Sequence, residues 1–259
     1  MYMNLLWFLP TFIILYMTFW FLVSLLVERR DIIDIAWGAG FVFLAWTTLI
    51  FRDLDLDTRS ILLLSAISLW GLRLSFHTVR RNLRQEEDWR YHRWSQGQAR
   101  LHPFCVFFQV FLLQGALMMI IALPVVYSLR FINLPLFELN YPGIFLIIFG
   151  LIFETVADQQ RYLFLKKERN KDQLISTGLW RYSRHPNYFG EIIFWWGIYF
   201  LVLGAPKSWM MIISPLTITY IMLFVSGLPM EERYRGRPDF EEYKRRTSAL
   251  IPWFVKKNR

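Results

Sequence analysis

The chain alternates between long apolar runs and shorter polar segments from one end to the other. A run of roughly 20 apolar residues is long enough to cross a bilayer as an α-helix. We place seven such runs at 4–27, 32–51, 60–79, 104–128, 142–164, 188–204 and 208–228. The pattern therefore predicts an all-α polytopic membrane protein, a seven-transmembrane helical bundle that forms one domain over residues 1–259.

Composition and charge agree with this architecture. Hydrophobic residues make up 55% of the 259 residues and aromatic residues 19%, which is unusual for a soluble domain. The formal net charge is +9, but most lysines and arginines lie in the segments after the first, third, fifth and seventh runs. By the positive-inside rule this asymmetry puts the N-terminus outside and the C-terminus in the cytoplasm, and it accounts for the charge without a nucleic-acid partner.

Several familiar kinds of site are missing from the sequence. The single cysteine, Cys105, excludes an intramolecular disulfide and a thiolate metal cluster. No GxGxxG, Walker or HExxH motif occurs and the four histidines lack metal-ligand spacing, so we predict no metal site. The first apolar run has neither a basic n-region nor a cleavage site, and we expect it to remain in the protein as a helix.

Ionisable residues recur toward the cytoplasmic ends of the predicted spans, where they are costly unless they face an interior or a water-filled cavity. Four groups have a spacing of three or four residues: Asp31 and Asp34; Arg73, His77, Arg81 and Arg84; Glu154, Asp158 and Arg161; and Arg184, Asn187 and Glu191. Helix capping, snorkelling to headgroups or an internal ion pair would each explain one group. Together they predict a polar chamber open to the cytoplasm.

The residue types in this chamber suit a nucleotide-like cofactor. Arginine binds phosphate through its bidentate fork, and Trp180 and Tyr188 offer ring faces for stacking. Asp158 and Glu191 offer acceptors for ribose hydroxyls or a carboxamide. These residues alone do not say which cofactor binds, and proton-relay transport stays open as a role for the intramembrane carboxylates.

Two longer motifs carry a family resemblance. "STGLWRYSRHPNYFGEIIFWWG" and "EERYRGRPDFEEYKRRTSALIPWF" resemble the C-terminal domain of the steroid 5-alpha-reductase family, and "DIIDIAWG" and "RRNLRQEEDWRY" resemble its bacterial branch. The resemblance implies a membrane reductase that uses NADPH to saturate a carbon–carbon double bond of a steroid or other hydrophobic lipid. It also implies a bacterial inner-membrane location with the active site facing the cytoplasm.

The resemblance implies that positions matching the family's motifs bind the cofactor. Arg161 is added because it belongs to the group with Glu154 and Asp158. The resulting candidates are Arg84, Asp158, Arg161, Trp180, Arg184, His185, Asn187, Tyr188, Glu191, Glu231, Glu232 and Tyr243. In this hypothesis Arg184 and His185 meet phosphates, and Asn187 and Glu191 meet the nicotinamide end. The cofactor pocket is expected mainly within 150–259 and the substrate cavity mainly within spans one to four.

The substrate side departs from the family pattern. Steroid reductases use a tyrosine in span three and a Gln-Glu pair in span two, whereas this sequence has Trp70 at the tyrosine position and no such pair. The nearby acids are Asp31 and Asp34, so the catalytic candidates are Asp31, Asp34 and Trp70. These differences weigh against a steroid 4-ene as the substrate and favour another conjugated lipid.

A second resemblance leaves the cofactor open. "RHPxYxGE" followed by "EE…Y" also resembles membrane isoprenylcysteine carboxyl methyltransferases and phospholipid N-methyltransferases, which bind S-adenosylmethionine. Seven spans, Asp158 and the long basic segment after span three favour NADPH, since S-adenosylmethionine carries no phosphate. A non-catalytic transport or structural protein is the third alternative.

Overall fold

The structure, a computed structural model, describes residues 2–52, 55–83, 103–167, 173–227, 231–232 and 234–255. Within these residues it is helical and contains no β-strand, which confirms the all-α prediction. The chain divides into two compact units, Met1–Leu136 and Phe137–Arg259, with the boundary between the fourth and fifth predicted spans. The prediction of a single domain stays a prediction.

The first unit is built from four long helices, each on a predicted apolar run. They are α1 (Tyr2–Val27), α2 (Ile33–Ile50), α3 (Thr58–Asn82) and α4, which runs through Pro103–Val106, a π-helical segment Phe107–Leu112 and Leu113–Phe131. Asp57 caps α3 by accepting a hydrogen bond from the backbone N–H of Ser60 at 2.9 Å.

The second unit contains the remaining helices. They are α5 (Asn140–Lys166), α6 (Pro186–Val202), α7, which runs through a 3₁₀ segment Ser208–Ile212, Ile213–Tyr220 and a π-helical segment Ile221–Gly227, and the short polar α8 (Pro238–Arg246). A 3₁₀ turn, Gly178–Arg181, precedes α6. Pro186 at the first position of α6 suits a helix start because its missing N–H would have no partner within the helix.

Six helices of the described chain are long and apolar enough to cross a membrane. They cover Trp7–Val27, Ile33–Ile50, Thr58–Asn82, Phe104–Phe131, Asn140–Lys166 and Ser208–Gly227. These helices make the chain an integral membrane protein by length and composition. The sixth predicted span coincides with α6, which has 17 residues and is about 25 Å long. The seven-span count and the orientation stay predictions.

Close glycine contacts join α2 to α3 in the first unit. A Cβ added to Gly38 would lie 2.4 Å from the carbonyl oxygen of Gly71, so the two backbones touch at this crossing. Beside it, Trp70 is fully buried and meets the ring of Phe41 edge-on, with centroids 5.3 Å apart. Small residues let membrane helices approach to this distance, which makes up for the absence of a hydrophobic driving force between them.

A second glycine seam joins α5 to α6. A Cβ on Gly150 would lie 2.5 Å from the backbone nitrogen of Phe194, and one on Gly190 would lie 2.6 Å from that of Glu154. Gly143 and Gly197 make a similar contact with each other, seven residues from Gly150 on α5 and from Gly190 on α6. The two helices are therefore antiparallel with a fixed register, and the polar end of α5 lies level with the start of α6.

A buried asparagine links the start of α5 to the end of α6 by hydrogen bonds. Asn140 is fully buried, and its Nδ2 lies 3.0, 3.1 and 3.3 Å from the carbonyl oxygens of Phe200, Leu201 and Leu203. Its Oδ1 accepts a hydrogen bond from the backbone N–H of Phe137 at 3.0 Å. One side chain thus donates to three carbonyls at the C-terminus of α6, where the regular hydrogen bonds of the helix end.

Candidate functional site

Buried acids mark the polar end of the α5–α6 pair. Glu154 and Asp158 lie one turn apart on α5 and are 2% and 6% exposed, and Glu191 on α6 is 6% exposed. Because Gly190 packs on the backbone of Glu154, the α5 acids and Glu191 lie at the same level of the pair. Burying ionisable groups at this depth is costly, and such residues usually serve function. Two of the three, Asp158 and Glu191, are predicted cofactor ligands.

Asn187 lies one helical turn before Glu191 on the same side of α6. Its Oδ1 is buried and has no hydrogen-bond partner among the described residues. A buried carbonyl-type acceptor without a donor costs about 1–3 kcal/mol. A ligand that brings an N–H or O–H group to this position would remove that cost.

The loop before α6 folds over the polar end of α5. The indole N–H of Trp180 donates to the backbone oxygen of Ala157 at 3.0 Å, and the backbone N–H of Leu179 donates to Gln160 Oε1 at 2.9 Å. The guanidinium of Arg161 lies over the Trp180 ring, 5.6 Å from its centroid. Two predicted cofactor ligands, Arg161 and Trp180, are therefore in contact with each other as a cation–π pair.

Arg184 and His185 of the same loop form a triad of ionisable side chains with Glu231, which follows α7. Arg184 Nε and Nη2 lie 2.7 and 3.3 Å from the two carboxylate oxygens of Glu231, and His185 Nε2 lies 2.9 Å from Oε1 of the same carboxylate. The ring of His185 is stacked parallel to that of Tyr188, with centroids 5.3 Å apart. The sequence predicted all four as cofactor ligands. The structure brings Glu231 to Arg184 and His185, which lie 47 and 46 residues before it in the chain.

Two opposing effects act on the pKa of Glu231. Burial raises it, but hydrogen bonds from His185 and Arg184 and the charges of these residues lower it, and the net result lies below the ordinary value of 4.5. Glu231 is therefore held as a carboxylate that neutralises the buried guanidinium of Arg184. This agrees with the rule that buried charges occur in pairs.

The last described segment is tied to the loop by backbone contacts. The N–H of Arg184 donates to the oxygen of Ser248 at 2.8 Å, and the N–H of Trp253 donates to the oxygen of Tyr182 at 3.0 Å. Arg184 Nη1 also donates to the backbone oxygen of Thr247 at 2.9 Å. The segment forms a strap across residues 180–184, and we call residues 243–254 the C-terminal strap.

Tyr243 anchors the start of this strap. Its hydroxyl donates to the backbone oxygen of Trp180, and burial raises its pKa above the ordinary value of 10.0. Glu232, by contrast, points away: its side chain is 47% exposed and pairs with the exposed Arg235 at 3.3 Å. Arg84, the remaining predicted cofactor ligand, lies outside the described residues.

The predicted catalytic acids of the first unit are both in ion pairs. Asp31 is 2% exposed, and its two oxygens accept from Arg29 Nε and Nη2 at 3.0 and 2.7 Å. Asp34 accepts from Arg81 Nη2 at 2.9 Å and retains a side-chain exposure of 21%. Asn82 joins the cluster because its Nδ2 donates to the backbone oxygen of Asp31 at 3.3 Å. Of the two acids, Asp34 is the more accessible.

The sequence did not identify the residues that hydrogen-bond to Asp31 in the first unit and to Arg184 in the second. Arg29 and Asn82 lie 53 residues apart in the chain. The carbonyls of Thr247 and Ser248 are backbone groups, so no residue type in the sequence indicates their role. Only the presence of charged residues flanking an apolar run hinted at Arg29. Among the described residues no group of three or more His, Cys, Asp or Glu side chains is arranged to hold a metal ion.

Comparison with known proteins gives two relatives of low similarity. The chain is 24% identical over 177 residues to the uncharacterized protein C594.04c of Schizosaccharomyces pombe, covering 60% of this chain and 52% of that protein. It is 25% identical over 124 residues to the protein-S-isoprenylcysteine O-methyltransferase of Saccharomyces cerevisiae, covering 43% of this chain and 48% of that protein. The chain spans about half the length of the curated relatives it matches.

No solved structure matches the chain. A family model described as "Protein of unknown function (DUF1295)" matches residues 20–247, which include every described predicted site residue. The match covers most of the chain, and the protein therefore belongs to the DUF1295 family.

Proposed function

We propose that the chain is an NADPH-dependent membrane reductase that saturates a carbon–carbon double bond of a lipid-like substrate by hydride transfer. The DUF1295 family includes membrane proteins similar to the steroid 5-alpha-reductases. The proposal adds α6 to the six candidate spans as a seventh crossing, with the N-terminus outside and the cofactor site facing the cytoplasm.

The observation that carries the proposal is the buried Oδ1 of Asn187, which has no hydrogen-bond donor among the described residues. The carboxamide NH₂ of a nicotinamide is a donor of the right kind for this oxygen. Glu191, one turn further along α6, and Asp158 on α5 supply carboxylates that suit the ribose hydroxyls. These groups favour a ligand rich in donors, which a nucleotide is.

The proposal changes the roles of the two residues expected to meet phosphate. All three nitrogens of the Arg184 guanidinium donate to Glu231 or to backbone oxygens, and His185 is bonded to the same carboxylate. We therefore assign Arg184 and Glu231 a positioning role that shapes the loop. Arg161 on α5 and the exposed Arg181 in the loop are the cations for the phosphates.

Within the first unit the proposal gives the proton to Asp34. Asp31 is paired with Arg29 and its side chain is 2% exposed, whereas the side chain of Asp34, which pairs with Arg81, is 21% exposed. A general acid of this kind contributes roughly 100- to 10,000-fold to rate. Trp70 is fully buried, and its role in the proposal is to shape the wall near the substrate.

An S-adenosylmethionine-dependent methyltransferase is the second candidate. The match to the yeast protein-S-isoprenylcysteine O-methyltransferase favours it. The same acids would suit the ribose and ammonium groups of that cofactor, and the Oδ1 of Asn187 would suit any N–H donor. The phosphates of NADPH are what separate the two candidates.

Calorimetry on the protein in mild detergent tests both. We expect NADPH to bind more tightly than NADH, and Asn187→Ala to weaken NADPH binding at least about tenfold, which corresponds to about 1.4 kcal/mol. Thr155→Val, a change of an exposed α5 residue, is the matched control and should leave binding unchanged.

Each other result has a definite meaning. Unaltered NADPH binding in Asn187→Ala would remove the site assignment. Binding of S-adenosylmethionine in place of NADPH would turn the same residues into a methyltransferase site. Binding of neither would support a non-catalytic transport or structural protein.

A further inference from the structure

The C-terminal strap carries an exposed apolar patch. Ile251, Trp253 and Phe254 are 60%, 66% and 81% exposed, and Tyr182 beside them is 40% exposed. We call these four residues the strap patch. Large side chains that remain this exposed in a contiguous stretch usually mark a surface that meets a membrane or another protein.

The position of the strap patch relative to the membrane helices follows from contacts within the second unit. The strap is bonded to residues 182–184, which lead directly into α6 at Pro186. The same loop contacts α5 through Trp180 and Ala157. Residues 140–157 of α5 span about 27 Å, close to the thickness of the hydrocarbon core. The strap patch therefore lies near the level at which α5 leaves the hydrocarbon.

Basic residues flank the strap patch along the chain. α8 has its acids, Asp239 and Glu241, in the first turn and its basic residues in the last turn, which begins the strap. Lys244 and Arg245 are exposed. In the sequence the apolar stretch "IPWFV" is followed at once by "KKNR". Aromatic rings with flanking cations are typical of segments that lie in the headgroup region of anionic bilayers.

We propose that the strap patch inserts into the headgroup region of a membrane that contains anionic lipid, and so anchors the C-terminal strap to the bilayer surface. Trp253 and Phe254 enter the boundary between headgroups and acyl chains, while Lys244 and Arg245 contact lipid phosphates. This surface is separate from the cofactor site and does not depend on the proposed reaction.

Site-specific fluorescence in the full-length protein tests the proposal. Cys105→Ser removes the one native thiol, and Phe254→Cys then carries an environment-sensitive fluorophore. Glu241→Cys, an exposed residue in the first turn of α8, is the matched control. The labelled proteins are placed in nanodiscs of phosphatidylcholine with or without phosphatidylglycerol, and quenching by spin-labelled lipid is compared with quenching by aqueous iodide.

We expect spin-labelled lipid to quench position 254 at least about threefold more than position 241, with a blue-shifted emission that strengthens when phosphatidylglycerol is present. Quenching of position 254 by iodide but not by lipid would overturn the proposal, because the strap patch would face water. Protection from both quenchers would also overturn it, because another part of the protein would then cover the patch. Equal lipid quenching in both nanodiscs would overturn the assignment of anionic lipid as the partner.

Discussion

Arg184 and Glu231 form a buried ion pair, with Nε of the arginine 2.7 Å from Oε1 of the glutamate. Their side chains are 8% and 10% exposed. Arg184 lies in the loop before α6 and Glu231 follows α7, so the pair ties together two segments that are distant in sequence. His185 hydrogen-bonds to the carboxylate of Glu231, and the guanidinium of Arg184 donates to the carbonyl of Thr247. The pair therefore connects the loop before α6 to the C-terminal strap.

Removing the negative charge from this pair should destabilise the second unit. We expect Glu231→Gln to lower the free energy of unfolding by about 2–4 kcal/mol, because the guanidinium of Arg184 would stay buried without a counter-charge. The measurement is the thermal midpoint in detergent. Glu232→Gln is the control: its side chain is 47% exposed and pairs with the exposed Arg235, so the change should be below about 0.5 kcal/mol. Equal midpoints for the two variants would contradict the prediction.

The same pair predicts a dependence of stability on pH. The pKa of Glu231 is lower in the folded protein than its ordinary value of 4.5, so its contribution is fully present above pH 4.5. The contribution is lost as the pH falls below that value toward the folded pKa. We expect the difference in thermal midpoint between wild type and Glu231→Gln to be constant above about pH 5 and to shrink below it. A difference that stays constant through the acid range would show that Glu231 is not the titrating group.

The glycine seam between α5 and α6 should tolerate no side chain. Gly190→Ala would put a Cβ 2.6 Å from the backbone nitrogen of Glu154, and neither helix backbone can move without losing register. We expect a loss of about 1–3 kcal/mol in the free energy of unfolding and weaker cofactor binding, because Glu154 and Asn187 would shift. Ile152→Ala, at a residue of α5 that is 58% exposed, is the control for an outward-facing change and should keep binding intact.

The side chain of Asn140 should matter more than its place at a helix end suggests. Asn140→Ala leaves the carbonyls of Phe200, Leu201 and Leu203 without this donor in an apolar setting. We expect a cost of about 2–3 kcal/mol, seen as a lower thermal midpoint. Tyr141→Phe changes a neighbour that is 60% exposed and should leave the midpoint unaltered. A midpoint of Asn140→Ala equal to that of Tyr141→Phe would mean that water replaces the lost donor.

The strongest features of the fold could be predicted from the sequence. The seven apolar runs coincide with seven of the helices described here, because backbone groups in a bilayer must bond internally and a helix does this within one segment. The cluster of ionisable residues at the ends of these runs was equally visible, since charge beside a long apolar stretch needs no tertiary knowledge to detect.

The pairing of those charges was decided by tertiary structure. Asp34 meets Arg81 across 47 residues and Arg184 meets Glu231 across the same separation, and no local pattern links them. The sequence showed Arg184 as a cation suited to phosphate, whereas packing brings it to Glu231 and to backbone oxygens. A buried guanidinium binds whatever acceptors the fold places around it, and that placement depends on the glycine contacts that set the register of the helices.

The sequence by itself determined which segments are helices and which residue types lie at their ends, because these depend on local composition. Tertiary structure alone decided which of these residues hold the loop and strap together and which remain open to a ligand or a membrane.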